Sequence, residues 1–166
     1  MKRGIVITAI FIAVALLAAS VPPANAESPR AEPPRRLASI NLCGDQLLLL
    51  LAERRQIASL SYLAADPAVS ALADRVGDIP LNSGRAEEIV VLQPDLVLSG
   101  TYQQRMTNGM LRRLGVAVLE LPPADSLDGA LAQIRSVATA IGAAEKGEAL
   151  AIDLPEAVFI DLPLAA

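Results

Sequence analysis

The chain has 166 residues, of which 53% are hydrophobic and 2% aromatic, and it carries a net charge of −4 with no histidine. This length suits a single domain, and the acidic balance with almost no aromatic residues excludes a nucleic-acid-binding surface. The missing histidine excludes a Ser-His-Asp triad and argues against a transition-metal site, since histidine is the commonest zinc ligand. A carboxylate site for a hard cation stays open, and we expect no cofactor.

The first 26 residues have the features of a secretory signal peptide. Lys2 and Arg3 precede an apolar run over residues 5–19, and Ala24-Asn25-Ala26 resembles a cleavage site. The apolar run is shorter than the roughly 20 residues that a membrane span needs; an uncleaved N-terminal anchor is the alternative. Cleavage removes two basic residues and leaves 12 against 18 acidic ones, a net charge of −6. Residues 27–35, rich in proline and charge, are predicted to form a disordered leader.

The first strand and helix are predicted over residues 36–52. Residues 36–41 alternate and indicate a strand, Leu42-Cys43-Gly44 is predicted to be a turn, and Asp45 suits the N-terminus of a helix. Residues 47–51 are all leucine, so we expect this helix to be well buried. Cys43, the only cysteine, follows a bulky residue far beyond the apolar run, which argues against lipidation. We interpret it as a small buried residue at a strand end.

The middle of the chain repeats the alternation of strand and helix. The predicted elements are a strand over 57–62, a helix from Asp66 to Arg75, a short edge strand over 77–81, a turn over 82–84, a helix over 86–92 and a strand over 95–99. Pro67 suits the first position of the 66–75 helix. Pro94 ends the 86–92 helix because it lacks an N–H group and disfavours the α-helical conformation at Gln93.

The C-terminal third predicts three more helices and one more strand. A helix over 105–114 is expected to bury Met106, Met110, Leu111 and Leu114 on one face, and a strand over 117–121 follows. Ser126 is predicted to cap the next helix, which ends at Gly142, and a last helix covers 144–151. Residues 152–166 contain two prolines and fit no element. We interpret them as a truncated or frame-altered tail, with a native strand around 157–160 as the alternative.

Strands alternating with helices predict an α/β, Rossmann-like fold with a mostly parallel sheet and helices on both faces. In such sheets ligands bind outside the carboxyl ends of the strands. The only two tyrosines, Tyr62 and Tyr102, each follow a predicted strand and so lie on that edge. Tyrosine combines a rigid apolar ring with a hydroxyl group, which suits ligand binding, although chance explains the placement equally well.

No motif in the chain indicates catalysis. The G-x-G-x-x-G, P-loop and G-x-S-x-G patterns are all missing. Glu87 and Glu88 are adjacent at a predicted helix start, so their side chains diverge by about 100° and cannot face one another as an acid–base pair. On physical grounds alone they are solvated charges that the helix dipole favours.

Three segments carry a more specific pattern. They are residues 36–48 (Arg-Leu-Ala-Ser-Ile-Asn-Leu-Cys-Gly-Asp-Gln-Leu-Leu), 57–62 (Ile-Ala-Ser-Leu-Ser-Tyr) and 87–97 (Glu-Glu-Ile-Val-Val-Leu-Gln-Pro-Asp-Leu-Val). Over about residues 36–151 the chain resembles the N-terminal lobe of class III periplasmic substrate-binding proteins, which serve ABC importers of cobalamin, haem and ferric siderophores. The third segment is the most specific part of the resemblance. It implies a two-lobe protein whose second lobe is missing, with residues 144–151 starting the helix between the lobes.

The resemblance implies a monomeric periplasmic protein that performs no chemistry. Its ligand would be an iron complex (a siderophore or haem) or cobalamin; the lack of histidine argues against the zinc- and manganese-binding relatives. Glu87 matches the glutamate with which the family docks on arginines of the ABC importer permease. Ligand contacts are expected in the loops after the strands, at Leu42, Cys43, Tyr62, Ser83, Gly84, Thr101 and Tyr102.

Two alternatives stay open from the sequence. The first is a truncated or vestigial lobe without transport activity. The second is a small secreted α/β enzyme, which needs catalytic carboxylates at the strand ends, where only Asp45 and Glu87 are available.

Overall fold

A single parallel sheet forms the centre of the protein, as the alternation of strands and helices predicts. The computed structural model describes residues 32–153, of which 33–153 belong to the compact unit Pro33–Ala166. The five strands are β1 (Leu37–Ser39), β2 (Ile57–Ser61), β3 (Leu81–Asn82), β4 (Leu96–Gly100) and β5 (Val118–Leu121). All neighbouring pairs are parallel, in the order β3-β2-β1-β4-β5. The predicted α/β class is therefore confirmed.

Five α-helices connect and cover these strands. They are α1 (Leu42–Leu51), α2 (Ala86–Val91), α3 (Arg105–Arg113), α4 (Leu127–Ala140) and α5 (Ala144–Asp153), with short 3₁₀ turns at Arg54–Gln56, Tyr62–Ala65 and Ala73–Arg75. α5 continues two residues beyond its predicted end. The predicted signal peptide, the first five residues of the leader and residues 154–166 of the tail lie outside the described residues.

Side chains that alternate along the strands form two apolar clusters, one on each face of the sheet. Leu37 of β1 and Leu98 of β4 pack in one cluster with buried residues of α1 and α4. Their neighbours Ala38 and Val97 pack in the other cluster with buried residues of α2 and α3. This division follows from the two-residue period of a strand and confirms the prediction of helices on both faces.

The start of α1 differs from the prediction. Asn41 caps the helix by accepting a hydrogen bond from the Gly44 amide at 3.1 Å, so Leu42-Cys43-Gly44 is the first helical turn instead of a separate turn. Asp45 is consequently inside the helix and fully buried, while Cys43 is exposed. The prediction of a buried cysteine was wrong. Asp45 does not open the helix either: the helix begins three residues earlier, at Leu42, with Asn41 as its cap, and Asp45 lies within its first turn.

Two other predictions about the helices were wrong. Residues 66–75 form turns and a short 3₁₀ helix at Ala73–Arg75, although the Asp66 carboxylate accepts from the Ala68 amide at 2.9 Å, as an N-cap residue does. α3 exists, but Met106 is 90% and Leu114 is 53% exposed. The helix is rotated so that Asn108 and Leu111 face the sheet.

Several local predictions were confirmed. Ser126 caps α4 by accepting from the Gly129 amide at 3.1 Å. Gln93 adopts a φ of 48° immediately before Pro94 and so leaves the helical region, and α2 ends at Val91. An edge strand also exists, but β3 (Leu81–Asn82) shares only Leu81 with the predicted segment 77–81 and includes Asn82, which was predicted to lie in a turn.

Candidate functional site

The carboxyl edge of the sheet contains a change in chain direction. From β1 the chain moves outward to β2 and β3 on one side, and it then returns to β4 and β5 on the other side. Parallel sheets bind ligands in the crevice that forms at such a point. The loops after β1 and β4 are in contact there. The side-chain amide nitrogen of Gln104 donates a hydrogen bond to the Ile40 carbonyl oxygen at 3.5 Å.

A buried polar network supports this edge from below. The Asp45 carboxylate of α1 accepts hydrogen bonds from the Ser61 amide at 2.9 Å and from the Ser61 hydroxyl at the end of β2. Burial raises the pKa of Asp45, although the bonds from Ser61 oppose this effect. Asn82 of β3 donates to the carbonyls of Leu60 at 2.8 Å and Ser39 at 3.0 Å. These bonds link the ends of three strands.

The loop after β3 is held by one of the two adjacent glutamates. The Ser83 amide and hydroxyl both donate to the Glu88 carboxylate at 2.7 Å, and these bonds lower the pKa of Glu88. Gly84 has a φ of 76°, a conformation that glycine adopts without strain, and its amide donates to the Asn82 side chain at 2.9 Å. The loop therefore leads into α2 in a defined shape.

Glu87 has a different environment from Glu88. Its side chain is 66% exposed, and its carboxylate lies 4.0 Å from the Arg85 guanidinium, itself 71% exposed. A surface pair of this kind contributes little to stability. Of the two glutamates, Glu88 stabilises the loop and Glu87 is directed to the surface.

The predicted ligand residues follow four neighbouring strands of the sheet. Tyr62 after β2 is 59% exposed, and Tyr102 after β4 is 68% exposed. The remaining predicted residues are Leu42 and Cys43 in the first turn of α1, Ser83 and Gly84 after β3, and Thr101 after β4. By the strand order, Ser83 and Gly84 lie at one side of this edge and Thr101 and Tyr102 at the other.

A pocket of about 420 Å³ lies beside α3 and was not predicted. It is lined by Thr101, Tyr102, Arg105, Gly109, Arg112 and Glu120. Only the two residues after β4 were expected at a ligand site. The positions 105, 109 and 112 share one helix face, and this i, i+4, i+7 spacing was the signal in the sequence. The spacing alone could not predict the pocket, because the sequence does not show which face of α3 is turned away from the sheet.

The structure gives no sign of a metal centre or a membrane span in the part that it describes. Residues 32–153 contain no group of three or more histidine, cysteine or acidic side chains placed to hold a metal ion. Within the same range no helix has the length and apolar character needed to cross a membrane.

Comparison with known families decides the class of protein. A family model described as periplasmic binding protein matches residues 37–158, well over half of the chain. The chain belongs to the periplasmic binding protein family. The resemblance to class III substrate-binding proteins is thereby confirmed. A comparison with curated protein sequences gave no match.

Solved structures of periplasmic binding proteins share this fold. The heme-binding protein RhuT from Roseiflexus sp. RS-1 has 26% identity and a TM-score of 0.59, with 71% of this chain and 45% of that chain covered. A heme-binding protein from Pseudomonas aeruginosa has 19% identity and a TM-score of 0.57, covering 72% and 43%. The vitamin B12-binding protein BtuF of Vibrio cholerae has 19% identity and a TM-score of 0.58, covering 73% and 47%.

The chain spans less than half the length of each of these three proteins. Membership of the periplasmic binding protein family favours the binding interpretation over the enzyme alternative. The buried position of Asp45, hydrogen-bonded to Ser61, also removes one of the two carboxylates that the enzyme alternative required.

Proposed function

We propose that this protein is the first lobe of the periplasmic substrate-binding component of an ABC importer, and that it binds an iron complex (a siderophore or haem) or cobalamin. The observation that carries the proposal is the exposure of Tyr62 and Tyr102 at the carboxyl edge. An exposed tyrosine offers a ligand both an apolar ring face and a hydroxyl group. The similar fold of heme- and vitamin B12-binding proteins supports this class of ligand.

The ligand surface would extend along the whole edge between the two tyrosines. The side chains of Leu42 and Cys43 and the loop of Ser83 and Gly84 would contact the ligand next to Tyr62. Thr101 would do so next to Tyr102. The network around Asp45 and Asn82 supports this role because it fixes the strand ends below these loops, and a preorganised surface loses less entropy on binding.

Permease docking is proposed for Glu87. Its carboxylate is exposed and has only a weak pairing with Arg85, so it is available to an arginine of a partner. Glu88 is already committed to Ser83 within the loop. The structure therefore supports the choice of Glu87 over its neighbour, which the sequence alone did not justify.

Ligand binding is tested by titrating the purified full chain with haemin, a ferric hydroxamate siderophore and cyanocobalamin, and measuring the melting temperature. A bound ligand at 100 times its Kd stabilises the folded state by about 2.7 kcal/mol. We expect one of the three to raise the melting temperature, and Tyr102→Ala to reduce that shift. Val91→Ala, which changes an exposed apolar side chain at the C-terminal end of α2, away from the carboxyl edge, is the matched control.

If none of the three ligands changes the melting temperature, the proposal is wrong and the vestigial-lobe alternative is preferred. A shift that Tyr102→Ala leaves intact would instead place the ligand away from the carboxyl edge.

A further inference from the structure

The pocket beside α3 shares two residues with the proposed ligand edge and extends it in a new direction. Thr101 and Tyr102 are the shared residues, and α3 contributes Arg105, Gly109 and Arg112 to the lining. Its volume of about 420 Å³ lies within the range of small-molecule sites. Part of a ligand held at the carboxyl edge has room to enter this pocket.

Gly109 is an unusual residue for this position. A glycine inside a helix costs roughly 0.8–1 kcal/mol relative to alanine, and the surroundings of each glycine show what its missing side chain makes room for. In α1, Gly44 has a packing reason, because a Cβ there would lie 2.6 Å from Ser39 Oγ and 2.9 Å from Leu98 Cβ. A Cβ at Gly109 would meet only Arg113, at 4.0 Å. What the missing side chain provides at Gly109 is the open space of the pocket.

The pocket carries one uncompensated positive charge. Arg112 forms an ion pair with Glu120 at 2.6 Å and donates to the Val118 carbonyl. Arg105 is exposed and makes no ion pair or side-chain hydrogen bond with any residue in the range 32–153. The lining therefore has a net charge of +1 in a chain whose net charge is −4. A local excess of this sign attracts an anionic group.

We propose that this pocket binds a carboxylate group of the ligand, and that the ligand is therefore a carboxylate-bearing iron complex. The Arg105 guanidinium presents a planar set of donors that matches a carboxylate. The Tyr102 ring lines the same pocket and offers an apolar face to the adjoining part of the ligand. This inference rests on the proposed function, because it assumes a ligand at the carboxyl edge, and it adds the chemical class of that ligand.

The test uses haemin, which has two propionates, and haemin dimethyl ester, in which both are masked. Binding to the full chain is measured by isothermal titration calorimetry, with cyanocobalamin and a carboxylate-free ferric hydroxamate as further ligands. We expect Arg105→Gln to weaken haemin binding about tenfold or more, because a hydrogen bond to a charged group is lost. The ester should bind wild type about as weakly as haemin binds the variant. Arg55→Gln, an exposed arginine in the turn before β2 at the opposite edge of the sheet, should bind haemin normally.

A second pair of variants tests the space at Gly109. Gly109→Leu should fill the pocket and weaken haemin binding about tenfold without lowering the melting temperature, because the position has room for a side chain. Gly109→Ala, which adds a single methyl group, should weaken haemin binding by a smaller factor than Gly109→Leu. These two variants separate loss of the pocket from loss of folding.

Three results would overturn the inference. They are equal affinity for haemin and its ester, unchanged haemin affinity in Arg105→Gln, and binding of cyanocobalamin or the hydroxamate in place of haemin. Each of these leaves the proposed function standing, since a ligand is still bound. Failure of all four ligands to bind would overturn the proposed function, and the inference with it.

Discussion

Replacing Asp45 by alanine should destabilise the protein strongly, because it removes the acceptor of two buried hydrogen bonds. The Ser61 amide, 2.9 Å from the carboxylate, and the Ser61 hydroxyl would both lose their partner. An unsatisfied buried group costs about 1–3 kcal/mol, so the two together should cost about 2–6 kcal/mol. That is a large share of a typical domain stability of about 5–15 kcal/mol.

Asp45→Asn is the matched control for this experiment. Asparagine keeps an oxygen for the Ser61 amide and has an amino group that can donate to the hydroxyl, so it should lose much less stability than alanine. It also does not titrate and so isolates the carboxyl group. Because the pKa of Asp45 is raised in the folded protein, the folded state holds the proton more tightly than the unfolded state. The stability of wild type relative to Asp45→Asn should therefore rise as the pH falls through the folded-state pKa.

Both effects are measured by urea unfolding, followed by far-ultraviolet circular dichroism over a series of pH values. An Asp45→Ala variant within about 0.5 kcal/mol of wild type, the range of ordinary surface changes, would show that the Ser61 bonds contribute little. A wild-type advantage over Asp45→Asn that shrinks as the pH falls would show that the hydrogen bonds from Ser61 outweigh burial.

Two further predictions compare matched residues. Glu87→Arg should slow ligand uptake about tenfold or more without changing the melting temperature, since a reversed charge opposes docking. Glu88→Gln should lower the melting temperature and leave docking intact. Normal uptake by Glu87→Arg would contradict the docking role. Gly109→Ala should raise the free energy of unfolding by roughly 0.5–1 kcal/mol. Gly44→Ala should lower the free energy of unfolding by about 1–3 kcal/mol, because the added Cβ meets three atoms closer than 3.0 Å. Equal effects of the two variants in thermal unfolding would refute the packing difference.

The parallel sheet was predictable because its signals are local and repeated. Apolar runs such as residues 96–98 end at turn residues, and the two-residue period decides which cluster receives each side chain. Pro94 and Ser126 act on their immediate neighbours, so the helix boundaries that they set were also predictable.

The errors arose where distant residues decide the outcome. Met106 and Leu114 have helical spacing, but Asn108 turns the helix by bonding to the Ser99 hydroxyl at 2.6 Å and the Gly100 carbonyl at 3.0 Å. The burial of Asp45 depends on Ser61, sixteen residues later. The ligand edge with both tyrosines was predictable from topology, whereas the pocket was not, because it depends on this rotation of α3.

The place of β1 in the strand order has a consequence for how the chain folds. β1 is the first of the described strands in the sequence but lies in the middle of the sheet. The residues that directly precede β1 and β4 are joined by a hydrogen bond from the Arg36 amide to the Asp95 carboxylate, 59 residues apart. Contacts of such long sequence separation close large loops and slow folding. During synthesis the N-terminal part of the chain is made first, so one edge of β1 stays unpaired until β4 has been synthesised. Partial products ending before residue 96 should therefore aggregate, since an open strand edge pairs with other chains.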